Sequence, residues 1–423
     1  MARENGTARP SGATPWRVVV AGGGLVGLAL ALAIARGGAR AVEVVVCDPA
    51  LARDPASDRR AYAIAAASRR MLSALGVWAQ IADRAQPMRE MVITDSHLAD
   101  PVRPVFLEFG GEAEPGEPFA HMVESAALAG ALREACASAG VELRAIGVRR
   151  ATPEDGTMRV RLADGERLDA ALAIAADGKR SRLREVAGIG WTGWTYPQSG
   201  LVATIGHARD HEGRATQHFL PSGPFAILPL PPGGSLGHRS SIVWSERRAN
   251  VAHILALHPE DLIEEIERRF GLELGEIALE SPLEAFPLEF GMARAFVGER
   301  LALAGDAAHV VHPIAGQGVN LGLRDAAVLA EIVVERVRLG MDPGGADALA
   351  RYQRARRADT LAMGLVTDGL NRLFSNDIAP VRLLRDVGLG LVDRMGFAKR
   401  FFVREAAGVP GPEGPRLLRG DAL

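Results

Sequence analysis

Arg17-Val18-Val19-Val20-Ala21-Gly22-Gly23-Gly24-Leu25-Val26-Gly27 turns a short β-branched run into the helix-forming run Leu25 to Ala35. The spacing predicts a strand, a tight turn and a helix. Gly22 allows the turn, Gly24 lets the backbone approach a diphosphate, and Gly27 lets helix and strand pack closely, with unpaired helix N–H groups facing the anion. A second apolar strand, Val42 to Cys47, ends at Asp48. That acid stands about twenty residues past the last glycine, where a carboxylate can accept ribose hydroxyls. The run from Val18 to Ala35 is uncharged and just long enough to cross hydrocarbon. Three adjacent glycines argue against a span, because they interrupt the backbone hydrogen bonding that a spanning helix needs.

Almost three hundred residues later comes Gly305-Asp306-Ala307-Ala308-His309-Val310-Val311-His312-Pro313-Ile314-Ala315-Gly316-Gln317-Gly318-Val319-Asn320-Leu321-Gly322-Leu323-Arg324-Asp325. It follows the apolar strand Leu301 to Ala304 with an acid, then a proline, then glycines that open a helix. That order suits a ribityl and pyrophosphate chain, so the two stretches bracket a flavin dinucleotide. A third element, Ala175-Ala176-Asp177-Gly178-Lys179-Arg180-Ser181-Arg182-Leu183-Arg184, ends an apolar strand with a turn that Asp177 can cap. Alone, Asp-Gly is a common turn signal.

The chain has 423 residues, 48% of them hydrophobic, and a net charge of −2, enough for two intertwined domains and a tail. With 49 basic against 51 acidic residues there is no global field to attract nucleic acid. Cys47 and Cys136 form no disulfide framework and match no metal spacing, which points to a reducing cytosol. Residues 1–15 read as a disordered leader rather than a signal peptide.

Between the motifs, Ser68 to Trp78 and Ser125 to Ala139 carry helical periodicity, and Pro87 closes the first of these units. The Pro/Gly/Glu-rich stretch from Asp100 to Pro118 reads as a long hairpin or exposed loop. Val141 to Ile146, Met158 to Leu162 and Leu168 to Ile174 read as strands of a small meander. From Trp191 to Trp244 the pattern is that of an antiparallel sheet. Val251 to Phe270 gives one or two helices, and Leu283 to Phe290 a returning strand.

Taken together and in this order, the three elements resemble the class A flavoprotein monooxygenases, the aromatic hydroxylases related to para-hydroxybenzoate hydroxylase. Asp177, Gly178, Ser181 and Arg184 match the family's Asp-Gly element, although Ala175-Ala176 stands where the family often has Gly-Ala. Within the class, the chain looks most like the ubiquinone-biosynthesis ring hydroxylases. Asp58 to Ile64 followed by Leu75-Gly76-Val77-Trp78, Trp194-x-Tyr196, Phe219-Leu220-Pro221-x-Gly223-Pro224, Val243-Trp244-Ser245 and Asn371-Arg372-Leu373-Phe374-Ser375 have the look of that branch. The match runs from about Val18 to Gly408, and Pro101 to Glu117 departs from it, which leaves the ring position open.

The resemblance implies an α/β fold. A discontinuous Rossmann-type FAD-binding domain would cover 16–90, 120–188 and 290–335, a substrate domain with an antiparallel sheet 91–119 and 189–289, and a helical region 336–423. It implies FAD contacts from Gly22, Gly24, Gly27, Asp48, Arg60 and Asp177, with Asp306 on the ribityl hydroxyls. Pro313, Gly316, Gln317, Gly318, Val319 and Asn320 would wrap the isoalloxazine, the N–H groups of Gly318 and Val319 near its pyrimidine edge. It implies NAD(P)H as co-substrate, bound without a Rossmann domain of its own, and O2 as the source of one oxygen inserted into a polyprenylated phenol or quinone precursor. Assembly with other enzymes of that biosynthesis belongs to the same expectation. No side-chain base is evident.

Other readings stay open. A reductase of prenyl double bonds, or another phenol hydroxylase of the class, would share the fold; oxygen consumption separates the former. A non-catalytic prenyl-binding protein would purify colourless. His309 and His312 lack a third ligand for a metal and read as structural. Trp191, Trp194 and Tyr196 either line a substrate cavity or are ordinary core. In Pro380 to Arg404, Leu384, Val387, Leu391, Met395, Ala398 and Phe402 recur at helical spacing, with six basic residues against two acidic. This basic amphipathic tail either rests on an anionic bilayer, making the chain peripheral to a membrane, or packs on the protein.

Overall fold

The structure is a computed structural model that describes residues 14–95, 98, 105–110, 112–312, 316–374, 407–411 and 413–423. The leader up to residue 13, Pro313 and the amphipathic tail 380–404 lie outside the described residues.

Six strands form the first sheet, in the order Glu142–Arg144, Val42–Cys47, Trp16–Ala21, Leu172–Ala175, Leu301–Leu303 and Val297–Gly298. The first five run parallel. Except for half-buried Leu143 on the edge strand, their valine, isoleucine and leucine side chains are buried on both faces, as a sheet covered by helices on each side requires. The helix Leu25–Gly38 is apolar all round, and Leu28 to Ile34 are buried throughout, packed against the helices Ser125–Ser138 and Gln317–Arg338. Each fully buried leucine or isoleucine contributes about 1.5–3 kcal/mol relative to exposure. The chain end returns to this core: Leu417 and Leu418 are buried, and Arg338 donates to the Leu423 carbonyl over 2.9 Å.

A second, nine-stranded sheet contains Glu90–Asp95, Val105–Gly110, Trp191–His207, Arg214–Leu220, Gly223–Leu230, His238–Arg247, Ile277–Leu279, Glu284–Ala293 and His309–Val310. All its pairings are antiparallel except Glu90–Asp95 with Arg214–Leu220. Within the stretch read as hairpin or loop, Val105–Gly110 is therefore a strand of this sheet.

Four expectations change. Val141 to Ile146 contributes Glu142–Arg144 to the parallel sheet and not to the meander. Leu168 to Ile174 is two strands: Arg167–Ala170 closes a three-stranded meander with Val148–Glu154 and Thr157–Leu162, whereas Leu172–Ala175 enters the parallel sheet. The switch falls at Ala171, whose N–H donates to the Arg17 carbonyl. The helix expected from Ser68 to Trp78 runs Ala66–Ala74, because the chain turns at Gly76, with φ +60°. Pro87 closes no unit; it lies inside the strand Ala85–Met88. Val251 to Phe270 is two helices, Arg248–Leu255 and Pro259–Phe270, the second opened by its proline. No helix among the described residues is long and apolar enough to cross a membrane.

Candidate functional site

Strand register places the three motifs in one line. Ala21 pairs with Cys47 on one side and with Ala175 on the other, and Ala175 pairs with Leu303. The residues that leave these strand ends are Gly22, Asp48, Ala176 and Ala304. Backbone bonds from Gly22 to Cys47, Ala176 to Ala21 and Ala304 to Ala175 extend the line by one residue. It lies outside the carboxyl ends of parallel strands, where open α/β sheets place their ligands.

The glycines divide into two kinds. A Cβ at Gly22 would lie 2.1 Å from the Ala176 carbonyl oxygen, and one at Gly27 would lie 2.1 Å from the Gly22 oxygen. These two are required by packing, and Gly22 also has φ +121°. A Cβ at Gly24 or Gly318 would meet nothing within 4 Å. Gly24 is the N-cap of one helix and Gly318 lies in the first turn of another, and neither helix start has a side-chain cap or an acid. Two bare helix N-termini thus present unpaired N–H groups and partial positive charge.

The acids differ in what they already hold. Asp48 accepts from the Gly23 and Ala50 N–H groups, each at 2.7 Å. Asp177 Oδ2 accepts from the Arg182 and Leu183 N–H groups at 2.9 and 3.4 Å, while its buried Oδ1 has no partner. Burial pushes the Asp177 carboxyl above its usual range despite these bonds. Among the described residues the Asp306 carboxylate accepts no hydrogen bond. It is solvent-accessible yet enclosed, and that enclosure raises its pKa against the opposing pull of His309, Arg60 and Lys179. Arg60 and Lys179 come from the other two parts of the chain, so their fields meet at one carboxylate. An orphaned carboxylate oxygen, an unsatisfied acid and two uncapped helix starts fit a bound group carrying hydroxyls and phosphates.

Arg60 pairs with Asp58 over 2.7 Å, and Asp58 also accepts from the Ser125 hydroxyl. Burial would raise the Asp58 carboxyl, but these bonds win and hold it at about 2. Gly316, in the left-handed region at φ +63°, begins the helix Gln317–Arg338. The Asn320 amide is engaged within the protein. Its Oδ1 accepts from the Ala65 N–H, and its Nδ2 donates to the Ala63 and Gly316 carbonyls. It ties the helix start to the strand Ala61–Ala65.

Beside Gly316 to Asn320 lies a mostly apolar cavity of about 330 Å³. Arg60 and Tyr62 stand at one side and His312 at another; its aromatic walls are Phe119 and Phe286, and Met88 and Met91 add flexible sides. Trp191, Trp194 and Tyr196 do not line it. Trp191 lies under the Arg184 guanidinium at 4.2 Å, Trp194 stacks on Phe290 at 4.5 Å, and Tyr196 donates to Asp368 at 2.6 Å. A larger open groove, about 950 Å³, carries Thr216 and His218 on the opposite face of the sheet, and none of the three motifs reaches it.

Two further side chains, both within the motifs already read, take partners from distant parts of the chain. Buried Arg184 donates to the Ala307 and Lys179 carbonyls at 2.9 Å, joining the Asp-Gly and Gly-Asp turns. Fully buried Asp325 accepts from the Gly305 N–H at 2.9 Å and from Arg356 at 2.7 Å, and its Oδ2 lies 2.6 Å from His309 Nε2. These partners hold its carboxyl below the usual range although burial alone would raise it.

A family model described as an FAD binding domain matches residues 16–363. A ubiquinone hydroxylase of Rhodospirillum rubrum is 45% identical over 96% of this chain and 93% of that protein. The 3-demethoxyubiquinol 3-hydroxylase of Escherichia coli is 36% identical over 93% of this chain and 99% of that protein. Among solved structures, p-nitrophenol 4-monooxygenase of Pseudomonas putida superimposes with a TM-score of 0.75 at 20% identity, over 93% of this chain and 98% of that one.

Proposed function

The chain belongs to the FAD binding domain family, together with ring hydroxylases of ubiquinone biosynthesis, and on that premise we propose that it uses FAD, NAD(P)H and O2 to hydroxylate the aromatic ring of a polyprenylated ubiquinone precursor. The balance is one ring C–H, O2, NAD(P)H and a proton giving one ring C–OH, NAD(P)+ and water. The observation that carries this reading is the placing of an apolar cavity of ring size directly against the helix start that follows the Gly-Asp turn.

FAD, when bound, supplies the electron transfer and oxygen chemistry. The residues of the chain supply binding, orientation and dryness. Asp306 would accept from ribityl hydroxyls, Asp48 from the ribose, and Asp177 through its unpartnered oxygen. Gly24 and Gly318 would let the two helix starts approach the phosphates and the ring system. Phe119, Phe286, Met88 and Met91 would exclude water from the reacting ring. Of the cavity's lining, only Arg60, Tyr62 and His312 are titratable among the described residues. Burial pushes Tyr62 up and His312 down to about 4, which leaves both neutral at pH 7.

The prenyl chain requires an apolar route. The helix Ala346–Phe374 leaves Leu361, Leu365 and Val366 exposed shortly before the basic amphipathic tail, so we assign this end of the chain to an anionic bilayer surface. Removing residues 380–404, which spares the buried Leu417 and Leu418, should abolish sedimentation with anionic vesicles; unchanged sedimentation removes the bilayer role. For the reaction itself, the purified chain should be yellow and consume O2 with NAD(P)H in step with hydroxylation of a prenylated phenol. A colourless chain that fails to bind FAD on titration overturns the reading.

A further inference from the structure

The sheet wall of the cavity carries three polar side chains that are almost wholly enclosed: Gln217 is 6% exposed, Ser241 5% and Ser245 2%. Among the described residues none of the three makes a side-chain hydrogen bond. Register places Gln217 in one cross-strand row between Ile93 and the apolar run Ala226, Val243 and Val202, a row that ends at Glu284 on the far strand. The polar atoms of the three are not sealed inside the protein but open into the cavity, so they are presented to whatever fills it. A leucine or methionine would line the same place without donors or an acceptor, so the amide suits an occupant that carries oxygen.

The three groups cannot all serve one ring. Ser241 and Ser245 are four residues apart on one strand, about 13 Å, and Gln217 lies two strands away, about 10 Å. The serine hydroxyls are short and lie close to the sheet floor. The glutamine side chain is the long one, with two donors and an acceptor on a flexible stem.

We propose that Gln217 reads a methoxy substituent on the substrate ring, its amide N–H donating to the methoxy oxygen. This rests on the reading that the cavity takes a phenolic ring. Gln217 thereby selects which oxygenated ring is held, and it fixes the rotation of that ring in the cavity.

The test compares two probes on the FAD-loaded protein: a 2-methoxyphenol carrying one short prenyl chain, and the same prenylated phenol with ethyl in place of methoxy. The wild-type chain should prefer the methoxy ring. Gln217→Leu should lower kcat/KM by about tenfold or more on the methoxy ring and change the ethyl ring little. It should also raise the hydrogen peroxide released per NAD(P)H oxidised. Gln217→Glu, nearly the same shape but without the N–H donors, should lose the preference as well. FAD content and the denaturation midpoint of each variant report whether it folds. Equal losses on both rings would show packing alone and overturn the assignment, as would no loss on either. A yellow wild-type chain that hydroxylates neither ring would overturn the hydroxylase reading and this inference with it.

Discussion

Gly22 and Gly24 are the same residue type two positions apart, yet they should fail differently when changed to alanine. At Gly22 the new methyl meets the Ala176 carbonyl at 2.1 Å in a backbone region that L-residues avoid, so Gly22→Ala should lower the thermal midpoint by several degrees. At Gly24 the methyl meets no protein atom, so Gly24→Ala should melt like the wild type without cofactor. It should nevertheless bind FAD at least tenfold more weakly, because the methyl stands where the diphosphate must come. Fluorescence titration with FAD and a melt of the same preparation separate the two; wild-type affinity in Gly24→Ala removes the diphosphate from that turn. Asp306→Ala should purify with little flavin, losing about 1.5–3 kcal/mol of charged acceptor. Normal occupancy in that variant would place the ribityl chain elsewhere.

The helix Gln317–Arg338 owes its position to buried polar groups as much as to its apolar face. Arg356→Met would leave Asp325 charged and enclosed with only His309 and the Gly305 N–H, and breaking a buried pair in this way costs about 3–5 kcal/mol. Chemical denaturation should show that loss, and Arg356→Met combined with Asp325→Leu should lose less than either single change. A purely additive double variant would mean that the two groups do not act together. This clamp shows where the sequence stops being legible. Gly22, Gly24, Gly27, Asp48, Asp177 and Asp306 could be read because turns that cradle a dinucleotide demand glycine and acid at fixed local spacing. Asp325 with Arg356, Arg184 with Ala307, and the cavity wall of Gln217, Phe119, Met88 and Met91 could not. Each depends on which strands and helices become neighbours, and no local spacing encodes that. The run Leu168 to Ile174 shows the same limit, since an apolar strand reads alike whether it serves one sheet or two.

At the scale of the whole molecule, the enclosed histidines set how stability responds to acid. His121 packs edge-on to Trp78 at 5.1 Å, with its Nδ1 buried and unpartnered, and His312 packs edge-on to Tyr196 at 5.1 Å. Burial is the main cause that pushes each of them from 6.5 down to about 4. Between those two pH values the unfolded chain binds protons that the folded chain refuses, so stability falls as pH drops through that window. Each fully titrating histidine contributes a slope of about 1.4 kcal/mol per pH unit. Asp58 acts in a lower window: its carboxyl is depressed to about 2, so its contribution is complete above 3.8 and is lost only as pH falls toward 2. Urea denaturation from pH 7 to 4.5 should therefore show a decline that the carboxylate does not cause. His121→Phe should keep the contact with Trp78 and remove roughly half of the slope from this pair, while leaving stability at pH 7 nearly unchanged. A flat wild-type profile between pH 6.5 and 4.5 would mean that these rings take up protons without unfolding. Saturating FAD should raise the whole profile, because a ligand that binds only the folded chain stabilises it at every pH where it binds. It should also steepen the acid limb if protonating His312, which lines the cavity beside the helix start, weakens flavin binding.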